Sequence, residues 1–198
     1  YYVYLFNNNG TLALDFSTTA YAVDTTAGNE GIYIKTGVNT RTLVGMIYAN
    51  ASSEFSSSGG NQLVASWFNR RPMVMTNTTS TSGFSTSATW VGVGTCTYSF
   101  LTWGDQTTSM HTTSGYISPG GSLNTIELGI CISTAASAGP YSQALAFGQS
   151  ASDLSFAPTS YTIAASTSEG YNYAILIGYT SGSSPISIQQ CMDGITWI

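Results

Sequence analysis

One histidine, His111, is the side chain of this sequence best suited to acid–base chemistry near neutral pH. A Ser-His-acid triad is assembled by the fold, so separation along the chain does not exclude one. However, the segment Gly148-Gln149-Ser150-Ala151-Ser152 lacks the second glycine of a nucleophile elbow, and no other segment completes one. We therefore interpret His111 as a solvent-facing strand residue and predict no catalytic residues.

The nine acidic residues are scattered singly, mostly beside turn residues. A glycosidase pair needs carboxyl groups about 5 Å or about 6.5–9.5 Å apart, a separation that sequence does not give. No Asp- and Asn-rich run supplies the oxygen ligands of a calcium loop. Cys96, Cys131 and Cys191 have no C-x-x-C spacing, and we interpret them as small buried residues in a reduced compartment. We expect no metal and no cofactor, with a glycan depolymerase or esterase as the enzymatic alternative.

Tyrosines are the side chains that best suit a binding surface. The chain has 13 Tyr, and this residue combines a large contact area with a polar tip and few rotatable bonds. Four of them stand beside Gly, Pro or Ser, where exposure is expected: Tyr116, Tyr141, Tyr161 and Tyr171. These four are the candidate binding residues. The alternative is that aromatic residues are simply good strand formers.

Other aromatic residues lie within dense apolar runs, where we interpret them as strand residues without a binding role: Trp67, Phe68, Phe100 and Trp103. The pair Arg70-Arg71 follows two of them and precedes Pro72. One interpretation of this pair is a site for an anionic ligand. The interpretation that we favour is structural, with an arginine that stacks on an aromatic ring or bridges a carboxylate at a strand end.

Apolar and polar residues alternate with a period of two along most of the chain. Leu12, Leu14 and Phe16 alternate with Ala13 and Asp15, and similar patterns cover residues 125–132, 171–179 and 186–189. Each pattern predicts a strand with its apolar face on a core and its other face in solvent. Some runs are apolar on both faces and suit strands that are covered twice or lie at a subunit contact: Tyr1-Phe6, Leu43-Tyr48, Met73-Met75 and Tyr98-Trp103.

Turn signals separate these strands. Asn7-Asn8-Asn9-Gly10 predicts a tight hairpin, because Asn-Gly adopts the positive φ angles that such a turn needs. No ten-residue stretch combines helical spacing with good helix formers, and no composition shift marks a domain boundary. We predict one all-β domain over residues 1–198, an antiparallel β-sandwich of the jelly-roll type with about ten to twelve strands.

Charge excludes some classes of partner. Charged residues make up 7% of the chain, and the formal net charge is −5 with four Lys and Arg in total. Because several phosphates must be neutralised by clustered cations, we expect no nucleic acid partner. No apolar span reaches 18 residues, so we expect no membrane insertion. Low charge protects a free monomer poorly against aggregation, which favours a place in a larger assembly. We also expect the chain to be processed or to be part of a longer polypeptide.

Several segments resemble blocks of a module found in tailed-bacteriophage tail or appendage proteins. Ser66-Trp67-Phe68-Asn69-Arg70-Arg71 is the most specific of them. The others are Tyr1-Tyr2-Val3-Tyr4-Leu5-Phe6, Gly10-Thr11-Leu12, Arg41-Thr42-Leu43-Val44-Gly45-Met46, Phe100-Leu101-Thr102-Trp103 and Glu169-Gly170-Tyr171-Asn172-Tyr173-Ala174. The chain departs from the pattern at Asn172, where the module is expected to have His, and at Ser181-Gly182-Ser183, in place of a Gly-Gly-Thr turn. If that His were a ligand, this chain would lack it.

The resemblance implies an all-β virion structural protein in a fibre, spike or decoration, and it supplies no catalytic residues. The implied function is a tail or head appendage domain that contributes to host attachment. Its implied partners are other virion proteins, further copies of itself, and a host surface glycan or protein. The non-enzymatic alternative is a purely architectural collar or head-decoration module. Strands apolar on both faces also favour a homo-oligomer.

Overall fold

The structure is a computed structural model. It describes residues 1–49, 52–55, 61–76, 81–84, 89–105, 107–112, 116–117, 125–133, 145–148, 154–155, 161–180, 186–188 and 192–197. Within these ranges the chain forms nineteen strands, of which twelve have four residues or more, and no helix. The predicted all-β class is therefore confirmed. Correspondingly, this part of the chain contains no helix that could cross a membrane.

The strands, in chain order, are β1 (Tyr2–Asn8), β2 (Thr11–Ser17), β3 (Tyr21–Val23), β4 (Tyr33–Lys35), β5 (Val38–Ile47), β6 (Asn61–Gln62), β7 (Val64–Ser66), β8 (Pro72–Thr76), β9 (Thr81–Phe84), β10 (Val91–Thr102), β11 (Thr107–Thr112), β12 (Tyr116–Ile117), β13 (Thr125–Ile132), β14 (Leu145–Gly148), β15 (Leu154–Ser155), β16 (Tyr161–Ser166), β17 (Gly170–Thr180), β18 (Ile186–Ile188) and β19 (Met192–Trp197).

The first sheet contains the N-terminal strands in the order β2-β1-β5-β4-β3, and β7 pairs with β5 as well. Its first hairpin is the predicted one, since β1 and β2 pair from Tyr2↔Ser17 to Asn8↔Thr11. Two residues connect the strands, Asn9 with φ 52° and Gly10 with φ 91°. Both angles are positive, as a type I′ turn requires. The local turn chemistry therefore sets the register of this hairpin.

The second sheet has the order β14-β13-β17-β10-β6, and the third has the order β16-β11-β19-β8. Two further two-stranded sheets join β12 to β15 and β18 to β9. Every pairing in the described residues is antiparallel except that of β6 with β10, which is parallel. The predominance of antiparallel ladders agrees with the period-two pattern of the sequence.

The core between the first two sheets makes the fold a β-sandwich. Tyr4, Leu43 and Ala65 of the first sheet pack in one buried cluster with Leu101 of β10 and with Trp103, which follows β10. The other face of β10 is also buried, because Tyr98 and Phe100 are inaccessible to solvent. The prediction that Tyr98-Trp103 is covered on both faces is confirmed.

Two predictions, one for Phe68 and one for β2, are wrong. Phe68 is not a strand residue, because it follows the end of β7 beyond the last pair of that ladder, Gly45↔Ser66, and 72% of its surface is exposed. Leu12, Leu14 and Phe16 are also exposed, by 70%, 52% and 51%. In β2 it is the other face, with Ala13 and Asp15, that is half-buried. Alternation predicted the strand correctly but not which side faces the interior.

Candidate functional site

Of the four candidate tyrosines, Tyr171 is the one whose side chain the structure describes. It lies in β17 and is 42% exposed. Tyr116 and Tyr161 are the first residues of β12 and β16, where only the backbone is described. Tyr141 lies outside the described residues. The candidate site is therefore built around Tyr171.

Tyr171 lines a surface groove with a cavity volume of about 210 Å³. Two sheets contribute to it, since the strand ends of β1 and β5 meet the start of β17 there. We call this feature the tyrosine groove, and its lining residues are Tyr1, Tyr2, Thr18, Met46, Ile47, Tyr48, Leu101, Gly170 and Tyr171. The sequence does not single out three of its tyrosines, Tyr1, Tyr2 and Tyr48, because they lie in or beside strongly apolar runs.

The exposed wall of the tyrosine groove is a pair of stacked rings. The ring centroids of Tyr48 and Tyr171 are 4.3 Å apart with an interplanar angle of 26°. The Tyr171 hydroxyl is 3.0 Å from Ser99 Oγ, and the backbone N–H of Tyr48 donates to the Leu63 carbonyl at 3.0 Å. The Tyr171 ring is thus held by a hydrogen bond of its own hydroxyl and Tyr48 by a bond of its backbone, while about two-fifths of each residue stays exposed. Ordered aromatic faces of this kind lose little side-chain entropy when a ligand binds.

A carboxylate stands next to the groove and joins the two sheets. Glu169 accepts hydrogen bonds from the hydroxyl of Tyr2 at Oε1 and from the hydroxyl of Tyr21 at Oε2, the latter at 2.8 Å. Burial raises the pKa of Tyr21 to about 12, and the bond to Glu169 adds to that effect. Burial also raises the pKa of Tyr2, and its hydrogen bond to Glu169 adds to that effect. Both phenols therefore stay protonated and donate to Glu169 at neutral pH.

Asn172 fixes the loop that carries Glu169. Its amide nitrogen donates to Thr102 Oγ1 at 2.9 Å, to the Ser168 carbonyl at 2.8 Å and to the Gly170 carbonyl at 3.1 Å. Its Oδ1 accepts from Ser133 Oγ at 2.8 Å. Asn172 is only 2% exposed, so this position, where the module is expected to have His, lies inside the sandwich. The side chain here acts as a structural link and does not contact solvent.

Arg70 occupies the structural role that its sequence context predicted. Its guanidinium carbon lies 4.0 Å from the centroid of the Trp67 ring, and its Nη1 is 2.7 Å from Asp105 Oδ2. Two further cations, Lys35 and Arg41, lie 3.1 Å and 3.5 Å from Asp15 Oδ2. Three of the four cations are thus paired with acids, and the fourth, Arg71, is exposed. This charge distribution forms no basic patch in the described residues.

The tyrosine groove offers aromatic faces and hydrogen-bonding groups to a ligand. Its described residues contain no nucleophile–base pair. Its polar groups are phenols, the Thr18 hydroxyl and backbone amides, with Glu169 beside it. No cluster of three His, Cys, Asp or Glu that could hold a metal is found in the part of the chain that the structure describes. Cys131 is a fully buried thiol, as predicted, whereas the side chains of Cys96 and Cys191 lie outside the described residues. For His111 only the backbone is described, in β11 opposite Thr162 and Asp193.

Comparisons with known proteins give no family. No family model matches the chain, and no curated protein matches it. Among solved structures, the chain is similar to dimeric latent PorU from Porphyromonas gingivalis, with a TM-score of 0.36 and 7% sequence identity. That match covers 98% of this chain and 19% of the PorU chain.

Proposed function

We propose that this chain is a structural domain of a tailed-bacteriophage virion, located in a tail or head appendage such as a fibre or spike. In this proposal the domain contributes to host attachment by binding a surface glycan or protein in the tyrosine groove. Its other partners are virion proteins and further copies of itself. The observation that carries the proposal is the exposed, ordered stack of Tyr48 on Tyr171.

The groove chemistry supports an uncharged, hydroxyl-rich ligand. Tyrosine faces offer apolar contact area, while their hydroxyls and the neighbouring Thr18 offer hydrogen bonds. A site that is concave and mostly apolar, with a few oriented polar groups, is typical of ligand binding. The net charge of −5, with three of four cations already paired, disfavours polyanions such as nucleic acid. The likeness of the Ser66-Arg71 block to phage appendage proteins supports the virion setting.

Competition for adsorption tests the attachment role. Purified domain is added to host cells before phage, and the adsorption rate of the phage is measured; the domain is also applied to immobilised surface polysaccharides of the same cells. We expect wild type to slow adsorption and Tyr171→Ala to need at least tenfold more protein for the same effect. Phe68→Ala is the matched control, because Phe68 is an exposed aromatic residue outside the groove. If wild type neither slows adsorption nor binds cells or polysaccharide, the attachment role is wrong.

A purely architectural role is the second candidate, and the exposed apolar face of β2 favours it. A collar or head-decoration module needs surfaces that bind neighbouring subunits, and the exposed apolar side chains of Leu12, Leu14 and Phe16 support such a role. Deleting the domain would then impair particle assembly or stability, while intact particles adsorb normally. An enzymatic role as a glycan depolymerase or esterase predicts release of reducing ends or acetate from host polysaccharide. If neither product is released, the enzymatic role is wrong.

A further inference from the structure

The long edge of the first sheet is the strand β2. It ends the strand order of that sheet and pairs with β1 through seven consecutive residue pairs without a register shift. On its other side, no strand pairs with it in the described residues. An unpaired strand edge presents a row of backbone donors and acceptors that can pair with another chain.

The hairpin register identifies which backbone groups point away from β1. In an antiparallel ladder, hydrogen-bonded and non-bonded residue pairs alternate, and the pair that closes a two-residue turn is bonded. Here that pair is Asn8↔Thr11. The alternation therefore directs the N–H and C=O groups of Leu12, Leu14 and Phe16 towards the free edge.

The same three residues carry the exposed apolar side chains of β2. Leu12 is 70% exposed, Leu14 is 52% exposed and Phe16 is 51% exposed. Natural edges are usually protected by Lys, Pro, a bulge or an inward-pointing charge. The one charged residue of β2, Asp15, faces the opposite side, where Lys35 Nζ and Arg41 Nε lie 3.1 Å and 3.5 Å from its Oδ2. Asp15 thus points inward, but Lys35 and Arg41 neutralise its charge, and the edge of β2 itself carries no Lys, no Pro and no bulge.

We propose that this edge is an interface with a second copy of the chain, in which two β2 strands pair antiparallel about a two-fold axis at Leu14. In that register Leu14 lies opposite the Leu14 of the second copy, and Leu12 lies opposite Phe16. All three outward-pointing residues then form hydrogen-bonded pairs, and their apolar side chains become cross-strand neighbours on one face. The inference rests on the part of the proposed function that names further copies of the chain as partners, and it specifies the surface through which they associate. It does not depend on host attachment, so a failed adsorption assay and a failed cross-linking assay are distinguishable.

Charge and length select this register over its neighbours. A two-fold axis at Asp15 would set the two Asp15 carboxylates directly opposite each other, which is destabilising. An axis at Ala13 or at Asp15 would also leave two residues of each strand without a partner. With the axis at Leu14, each Asp15 faces Ala13 and all seven residues from Thr11 to Ser17 are paired. The sequence of β2 is therefore self-complementary, which favours a second copy over an unrelated partner.

Disulfide trapping tests the register. The Cα atoms of a hydrogen-bonded antiparallel pair are about 5.5 Å apart, which lies inside the range of about 4.4–6.8 Å that a disulfide spans. Under oxidised glutathione, we expect Leu14→Cys to form a covalent dimer on a non-reducing gel. Leu12→Cys is the matched control, because its two copies would lie four residues apart along the strand, about 13 Å. The double variant Leu12→Cys/Phe16→Cys should form the covalent dimer, because Leu12 lies opposite Phe16 of the second copy. The wild-type chain on the same gel shows how much cross-linking arises from the native cysteines.

Light scattering of the untreated chain gives an independent measurement. We expect wild type to be a dimer whose dissociation constant rises at least tenfold in Leu14→Pro. Proline removes the outward N–H of Leu14 without removing a bond to β1, so the hairpin should fold, and an unchanged circular dichroism spectrum checks this. A wild type that stays monomeric and a Leu14→Cys variant that does not cross-link would together overturn the proposal. Equal cross-linking of Leu12→Cys and Leu14→Cys would also overturn it, since that outcome indicates association through another geometry.

Discussion

Replacing Asn172 with alanine removes the central link between β10, β17 and the loop that carries Glu169. The amide nitrogen has two protons and reaches three acceptors, Thr102 Oγ1, the Ser168 carbonyl and the Gly170 carbonyl, while Oδ1 accepts from Ser133. Alanine therefore removes two donated hydrogen bonds and one accepted hydrogen bond at a position that is 2% exposed. At about 1 kcal/mol for each bond, we expect the free energy of unfolding to fall by about 3 kcal/mol.

Urea unfolding followed by circular dichroism measures this change. We expect a lower midpoint with an unchanged m value, and a melting temperature lower by about 6–12 °C for a chain of this size. Asn69→Ala is the matched control, because Asn69 is exposed and should change stability by less than about 0.5 kcal/mol. If Asn172→Ala lowers the free energy of unfolding by no more than Asn69→Ala, the amide is not a structural link. The reasoning about the buried network would then be wrong.

Two more predictions concern stability. A Cβ on Gly45 would lie 2.8 Å from the Ala65 carbonyl oxygen, so Gly45→Ala should cost about 1–3 kcal/mol in urea unfolding. A Cβ on Gly92 would have its nearest neighbour at 3.7 Å, so Gly92→Ala should leave the free energy of unfolding almost unchanged. If both substitutions lower the free energy of unfolding equally, this reasoning is wrong. Burial raises the pKa of Tyr4 and of Tyr21 to about 12, above the value near 10 in an unfolded chain. As the pH rises, the tyrosines of the unfolded state therefore lose their protons first. The free energy of unfolding should then fall between about pH 10 and pH 12. A urea midpoint that does not change with pH over that range would refute this prediction.

The features that sequence predicted best depend on neighbouring residues. The Asn9-Gly10 turn follows from the φ angles that these two residues adopt, and the hairpin register follows from the turn. The role of Arg70 was predicted because Trp67 lies three residues before it on the same loop. Period-two alternation predicted antiparallel strands, since it reports a strand with two unlike faces. The β-sandwich class follows from these local signals.

The features that sequence did not predict depend on distant residues. Tyr48 and Tyr171 stack across two sheets, and no local pattern relates the end of β5 to the start of β17. The facing of β2 was predicted wrongly, because alternation cannot show that the Asp15 side would find cations from β4 and β5. Asn172 looked like a departure from a motif, yet its burial depends on Thr102 and Ser133 in other strands. Jelly-roll connectivity stays a prediction.

The two edges of the first sheet differ greatly in length. β2 has seven residues, whereas β3, at the other end of the strand order, has only three. If two copies join through β2, the strands left at the edges of the combined sheet in the described residues are β3 and β7 of each copy, and each of them has three residues. A strand of three residues offers few backbone groups for a further chain. Such a sheet stops growing at two subunits, so the chain could tolerate an apolar edge without forming filaments.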